Sequence, residues 1–297
     1  MDKIKKIAWS FPLIAGICWG AAGFFVRSLT EAGLTNVTIT CLRMLLAGLI
    51  NAVIIVFYKP SLFRIDKKDL IFFALCGVIG MGILNVLYNL SVLKGSLVLA
   101  AVLLGLSPIF VLFGAVLVLH EPITMVKSIS VILAIVGCAM VSGLFDGGKT
   151  NVNLIAVIAG LGAAVFYAAN GVLSKKIADK NYHFLTTSFY CSIFAGLSLV
   201  PFSQWHQTGS ILIGANCTPL IILLLHVILT SVFPYAIYFL GMKYLEAGKA
   251  AILASGQPAS AMVFGLVLYN EVPTVLGIIG LVFCILSIVL LNLPQKS

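Results

Sequence analysis

The chain has 297 residues, 61% of them hydrophobic and 9% charged, with a net charge of +9. Soluble domains carry about a quarter charged residues, so this composition cannot clothe a water-soluble globule. The positive balance comes without a soluble basic domain or an aromatic RNA-binding motif, so no nucleic acid is expected as a partner and membrane topology accounts for the charge.

The opening, MDKIKKIAWSFPLIAGICWGAAGFF, has the basic, apolar, small-residue order of a signal peptide. Its apolar run is long and many more follow, so it reads as an uncleaved first helix. Charged and turn-forming clusters divide the chain into ten apolar segments, at about 8–27, 37–57, 70–92, 97–119, 125–144, 152–173, 184–203, 219–241, 249–269 and 274–293. A helix of about 20 residues reaches roughly 30 Å, the thickness of the hydrocarbon core. The expected class is therefore an all-α polytopic membrane protein. Cys18, Cys41, Cys76, Cys138, Cys191 and Cys284 fall inside these spans, with no disulfide framework and no zinc spacing. No metal and no cofactor are expected.

With the N-terminus in the cytoplasm, Lys3, Lys5, Lys6, Lys59, Arg64, Lys67, Lys68, Lys127, Lys175, Lys176, Lys180, Lys243, Lys249 and Lys296 fall on the cytoplasmic side. The outer loops hold only Arg27, Lys94 and Lys149. Cytoplasmic loops carry the basic excess, so both termini are expected there, in a multi-pass plasma-membrane protein.

A shift of 150 positions sets Tyr88 on Tyr238, Leu90 on Leu240, Ala100 and Ala101 on Ala250 and Ala251, and Leu103 on Leu253. The same shift sets Pro108 on Pro258, Glu121 on Glu271 and Thr124 on Thr274. Each half, 1–146 and 147–297, holds five spans. Five is odd, so the second half is inserted upside down relative to the first. Two inverted repeats of this kind mark transporters that alternate access around a central site.

The opening ICWGAAGFFVR, the CLRMLLAGL of the second span and the twice-used Pro…Glu helix resemble the EamA branch of the drug/metabolite transporter superfamily. The resemblance runs over nearly the whole chain. It implies a ten-helix fold of two inverted five-helix repeats and export of small metabolites, often amino acids. The NVLYNLSVLKG of the third span departs from common members, which carry fewer amides there.

Pro108 and Pro258 fall near the middle of their spans and leave the carbonyls of Leu104 and Ala254 without a helical partner. Such carbonyls are tolerated against protein or a wet cavity, so the pair reads as two hinges lining one central space, or as packed kinks. Glu121 and Glu271 read as caps of the following helices or as proton carriers. Asn85, Tyr88 and Asn89 share one helical face. With Trp19, Tyr167, Asn170, Tyr235, Tyr238 and Gln257 they form the candidate substrate-binding set. The tyrosines could instead belong to the interfacial belt, and the asparagines could hold helices together. Arg43 could attract a substrate carboxylate, snorkel outward or pair with Glu31. His226 could titrate or act as an interhelical donor. Gly16 with Gly20, and Ala261 with Gly265, allow close helix packing within a monomer or across a homodimer seam. Phe110 and Leu290 are expected to face lipid.

The function expected is a secondary transporter of small organic metabolites, amino acids or related compounds. A membrane enzyme is the alternative, but no HExxH, GxSxG or paired intramembrane aspartate is present. A structural membrane protein would not need a polar midplane. No carboxylate sits at mid-span, so an obligatory carboxylate proton relay has no carrier.

Overall fold

The computed structural model describes residues 7–107, 109–110, 125–141, 145, 153–206, 208–213, 217–245, 250, 253–254, 256–270, 272 and 274–292. Pro108, Glu121 and Glu271 lie outside them, as does the side chain of Pro258. The described residues are helical, without strands.

Six helices among the described residues are long and apolar enough to cross a membrane. They are α1 (Ser10–Glu31), α2 (Asn36–Tyr58), α3 (Lys67–Lys94), α6 (Leu154–Asp179), α7 (Phe184–Phe202) and α8 (Thr218–Met242). Shorter in their described parts are α4 (Leu97–Gly105), α5 (Met125–Val141), α9 (Gly256–Tyr269) and α10 (Val275–Asn292).

Local chemistry sets the ends of these helices. The α1 helix stops where Gly33 takes φ 104°, a left-handed conformation that suits glycine. There Gly33 N–H bonds Thr30 O at 2.9 Å and Leu34 N–H bonds Leu29 O at 3.1 Å. Leu29 and Leu34 are both buried in one cluster, which completes a Schellman stop. At several helix starts a side-chain oxygen takes an otherwise orphaned amide. Thr35 caps α2, Ser96 caps α4 at 3.0 Å and Asn153 caps α6 at 3.0 and 3.3 Å.

The helices pack in matching pairs. α3 lies on α6 and α7, as α8 lies on α1 and α2. α4 lies on α6, as α9 lies on α1. α2 meets α7, α4 meets α9 and α5 meets α10. Both α3 and α8 carry a π-helical turn, at Val78–Ile83 and Ile228–Val232.

Glycines permit the closest approaches. A Cβ at Gly16 would overlap the Ala254 backbone, and one at Gly20 would overlap Ser260 and Ala261. The small-residue stripe of α1 is therefore used inside the chain, against α9. The apolar outer faces, such as Leu49, Val53 and Val56 on α2 and Ile155 and Ile158 on α6, are exposed in a pattern suited to lipid. Phe110, beyond the end of α4, is half-buried against the cluster of Val102, Leu106, Ile109 and Leu281. Leu290 is half-buried.

At one end of the bundle the segment between α2 and α3 is tied to the α6–α7 side. Lys180 pairs with Asp69 at 2.7 Å, and the Tyr182 hydroxyl donates to Asp69 at 2.7 Å. Thr186 and Tyr190 donate to the carbonyls of Leu62 and Phe63 at 2.9 and 2.7 Å. The bond to Asp69 raises the pKa of Lys180 above its ordinary value.

Candidate functional site

Seven helices contribute to one central cavity. Trp19 and Ala22 come from α1, Arg43 from α2, and Leu84, Asn85 and Tyr88 from α3. Leu104 comes from α4, Tyr167 and Asn170 from α6, Tyr235 from α8 and Gln257 from α9. The cavity volume is about 20 Å³, counted as the space open to the centres of water molecules. That is room for about one water, so a metabolite requires the helices to part.

Seven of the nine residues in the candidate set line this cavity. Tyr238 stands behind the wall, fully buried, with its ring 5.4 Å from that of Trp19. Asn89 is also fully buried and donates to Thr40 Oγ1 at 3.1 Å, which holds α3 to α2. Tyr88 and Tyr238 are buried inside the bundle, so neither belongs to an interfacial belt.

The aromatic wall is built around Trp19. Its ring lies 6.4 Å from Tyr167, edge-on at 88°, and 5.1 Å from Tyr235. Its indole Nε1 donates to the Thr230 carbonyl at 3.0 Å. Pro234 lacks the N–H that this carbonyl would receive in a regular α-helix, so Trp19 supplies the missing donor. In the other π-turn a side chain adds to a backbone bond. The Met81 carbonyl takes the Leu84 amide and also Asn85 Nδ2 at 2.7 Å, and Asn85 Nδ2 donates to the Tyr235 hydroxyl at 3.1 Å.

Arg43 neither snorkels nor pairs with Glu31. It is 1% exposed, and α2 carries it into the cavity wall. Its Nη1 donates to Thr230 Oγ1 at 3.0 Å and meets His226 Nε2 at 3.3 Å, while Nη2 donates to Asn85 Oδ1. Its Nε has no hydrogen-bond partner. A guanidinium only donates, so His226 Nε2 accepts and the ring proton sits on Nδ1. The imidazole also stacks on Phe25 at 5.0 Å, so His226 works between helices. No described carboxylate bonds Arg43.

Asn170 Oδ1 accepts from Cys76 Sγ at 3.2 Å and Ser174 Oγ at 3.4 Å. The Tyr88 hydroxyl faces Gln257 and the Tyr167 hydroxyl faces Tyr238, neither at full hydrogen-bond geometry. The wall therefore offers two weakly held phenols, an arginine edge and aromatic faces. Sequence reasoning missed the Trp19–Thr230 and Asn85–Met81 carbonyl contacts and the depth of Arg43. Pro234 and the glycines of GVIGMG were the signals for the irregular turns.

The sequence profile of the EamA-like transporter family matches the chain twice, over residues 6–143 and 154–293. The chain belongs to that family. Relatives named as transporters align along most of its length. An uncharacterized inner membrane transporter, YicL, of Salmonella typhimurium strain LT2 is 24% identical, over 96% of this chain and 94% of its own. An uncharacterized transporter of Archaeoglobus fulgidus is 27% identical, over 92% of this chain and 94% of its own. A protein of Streptantibioticus cattleyicolor named "Probable terminal-alkyne amino-acid exporter" is 24% identical, over 98% of this chain and 94% of its own. A solved crystal structure superposes with a TM-score of 0.66 at 15% identity, covering 97% of each chain, which is a likeness of fold. EamA membership makes this a multi-pass membrane transporter rather than an enzyme.

Proposed function

We propose that the protein is a secondary transporter that exports small organic metabolites, amino acids or related compounds, by alternating access around the central cavity. The reading takes the chain as ten helices in two inverted five-helix repeats, divided at 1–146 and 147–297. Both termini lie in the cytoplasm and the bilayer is the plasma membrane. The observation that carries it is the bond between Asn85 and Tyr235, 150 positions apart, in the cavity wall. Repeat-equivalent residues that touch lie beside the axis relating the repeats, where such carriers bind their solutes. The packing of α4 with α9 and α2 with α7, and the matched settings of α3 on α6 and α7 and of α8 on α1 and α2, support the same symmetry. The amino-acid exporter among the relatives supports the solute class.

Trp19, Asn85, Tyr88, Tyr167, Asn170, Tyr235 and Gln257 form the solute-facing wall in this reading, with Asn89 and Tyr238 behind it. Pro108 and Pro258 act as hinges. Gly16 and Gly20 are consumed by α9, which favours the monomer as the working unit over a homodimer. Efflux of a metabolite panel from liposomes containing the purified protein tests the reading. At least one small metabolite should leave faster than from empty liposomes, and a monodisperse Trp19→Ala protein should lose that efflux. Equal efflux from protein-containing and empty liposomes would overturn it.

A further inference from the structure

We propose that Arg43 anchors a substrate carboxylate, so that the cavity selects solutes by a carboxylate and does not require the amino group of an amino acid. The inference rests on the transporter reading and names the chemistry of its solute.

Among the described lining residues Arg43 is the cation, and no described anion holds it. A guanidinium has five N–H donors. Three are taken by Thr230 Oγ1, His226 Nε2 and Asn85 Oδ1. All three partners are neutral, so they orient the guanidinium without balancing its charge. Of the two remaining donors one is on Nε, which has no partner, and one is on Nη2; a carboxylate that meets both takes the Nε–Nη2 edge of the plane, sharing Nη2 with Asn85. That edge matches the two oxygens of a carboxylate, and such bidentate pairs are among the strongest charge-assisted hydrogen bonds.

The energetics favour the same occupant. An isolated buried charge is costly, and removing an ion from water is repaid only by close pairing and well-placed hydrogen bonds. Among the described residues nothing supplies the opposite charge to Arg43. A solute carboxylate would do so when it binds, relieving a penalty that returns when it leaves.

The described lining offers less to the converse solute, whose positive charge Arg43 also repels. No described lining residue is an aspartate or glutamate, so an ammonium group finds only neutral oxygens and aromatic faces. The weakly held hydroxyls of Tyr88 and Tyr167 can bond a polar group without distinguishing an amine from a hydroxyl. Trp19, Tyr167 and Tyr235 offer an aromatic surface to the apolar body of the solute. The selected class is therefore a carboxylate with an apolar or aromatic body, with or without an α-amino group.

Matched probes test this on the purified full chain by ligand-dependent thermal unfolding. The pairs are phenylalanine and phenylalaninamide, leucine and leucinamide, and 3-phenylpropionate and 3-phenylpropanamide. At least one acid should raise the melting temperature while its amide does not, and 3-phenylpropionate should act comparably to phenylalanine. Arg43→Gln should weaken acid binding roughly tenfold or more, the loss expected for a charge-assisted bond. Arg43→Lys, which keeps the charge but not the forked edge, should be intermediate and guards against a folding defect in the first variant. The proposal is overturned if an amide stabilises as well as its acid, if phenylalanine binds and 3-phenylpropionate does not, if both Arg43 variants keep full acid affinity, or if no acid shifts the melting temperature. Metabolite efflux lost in Trp19→Ala would still uphold the transporter reading in each of those cases.

Discussion

Asn85 Nδ2 donates to the Tyr235 hydroxyl at 3.1 Å, and the two residues stand 150 positions apart. The same offset links the starts of the two π-turns, Val78 and Ile228. Equivalent positions thus face each other, but their chemistry differs. The position equivalent to Arg43 is Ile193, which packs on Gly48. Charge is confined to one half of the cavity while the backbone irregularity is shared by both. A solute bound there would be oriented by the unequal side chains, and the helices would move by the shared backbone feature.

The weakly held phenols lead to a separation of stability from function. The hydroxyls of Tyr88 and Tyr167 are buried and lack a well-formed hydrogen bond, Gln257 and Tyr238 being their nearest partners, so each carries part of a desolvation penalty of about 1–3 kcal/mol in the empty protein. Tyr88→Phe and Tyr167→Phe should leave the melting temperature unchanged or higher. Each should reduce efflux, by roughly 5- to 150-fold where that hydroxyl bonds the solute. Val267→Ala, at an exposed apolar position, is the matched control. Destabilisation by both phenylalanines with normal efflux would show that these hydroxyls are structural.

Close packing of α1 on α9 gives a second expectation. At Gly20 even a methyl group meets Ser260 and the Ala261 backbone. Gly20→Val should therefore destabilise the protein by about 1–3 kcal/mol, as overpacking does elsewhere. Thermal unfolding of the purified variant measures this. A variant as stable as the parent would mean that α1 and α9 do not hold this contact in the membrane.

His183 provides a pH test away from the cavity. Its Nδ1 accepts the Leu185 amide at 3.3 Å and so caps α7. Burial first, then the charges of Lys243 and Lys59, push its pKa below the ordinary 6.5. The neutral ring is thus favoured by the folded state. Its stabilisation is fully present above pH 6.5 and is lost as pH falls through the lowered pKa. Melting temperatures between pH 5 and 8 should fall at the acid end in the parent and less so in His183→Asn, which keeps a capping group without a titrating one. Parallel profiles would remove His183 from the pH response.

Hydropathy made α1, α2, α3, α6, α7 and α8 legible, because long apolar runs between charged clusters leave few alternatives. Most of the aromatic and amide set was legible too, since polar groups in apolar spans must turn inward. The fate of Arg43 was not. Snorkelling, pairing with Glu31 and facing the cavity are equally consistent with one arginine two turns inside a span, and only the positions of Thr230 and His226 on α8 decide among them. Hydrogen bonds between backbone and side chain across helices, such as Trp19 to Thr230, leave no periodic trace. The intrachain use of Gly16 and Gly20 was likewise open until α9 was found against them.

The last prediction concerns how the cavity opens. π-turns interrupt a helix where backbone bonds are already rearranged, so they give way more readily than a regular turn. In α8 the Thr230 carbonyl is held by Trp19 at 3.0 Å, and in α3 the Met81 carbonyl is held by Asn85 at 2.7 Å. Both donors belong to the cavity wall, so a solute that displaces either one also loosens the turn behind it. Pro234→Ala restores the N–H that α8 lacks and offers the Thr230 carbonyl a helical partner. The variant should protect amides around residues 226–236 from hydrogen exchange, keep its affinity for a transported solute and slow efflux from liposomes. Greater amide protection with unchanged efflux would mean that the α8 turn is a static irregularity, and that the helices part somewhere else.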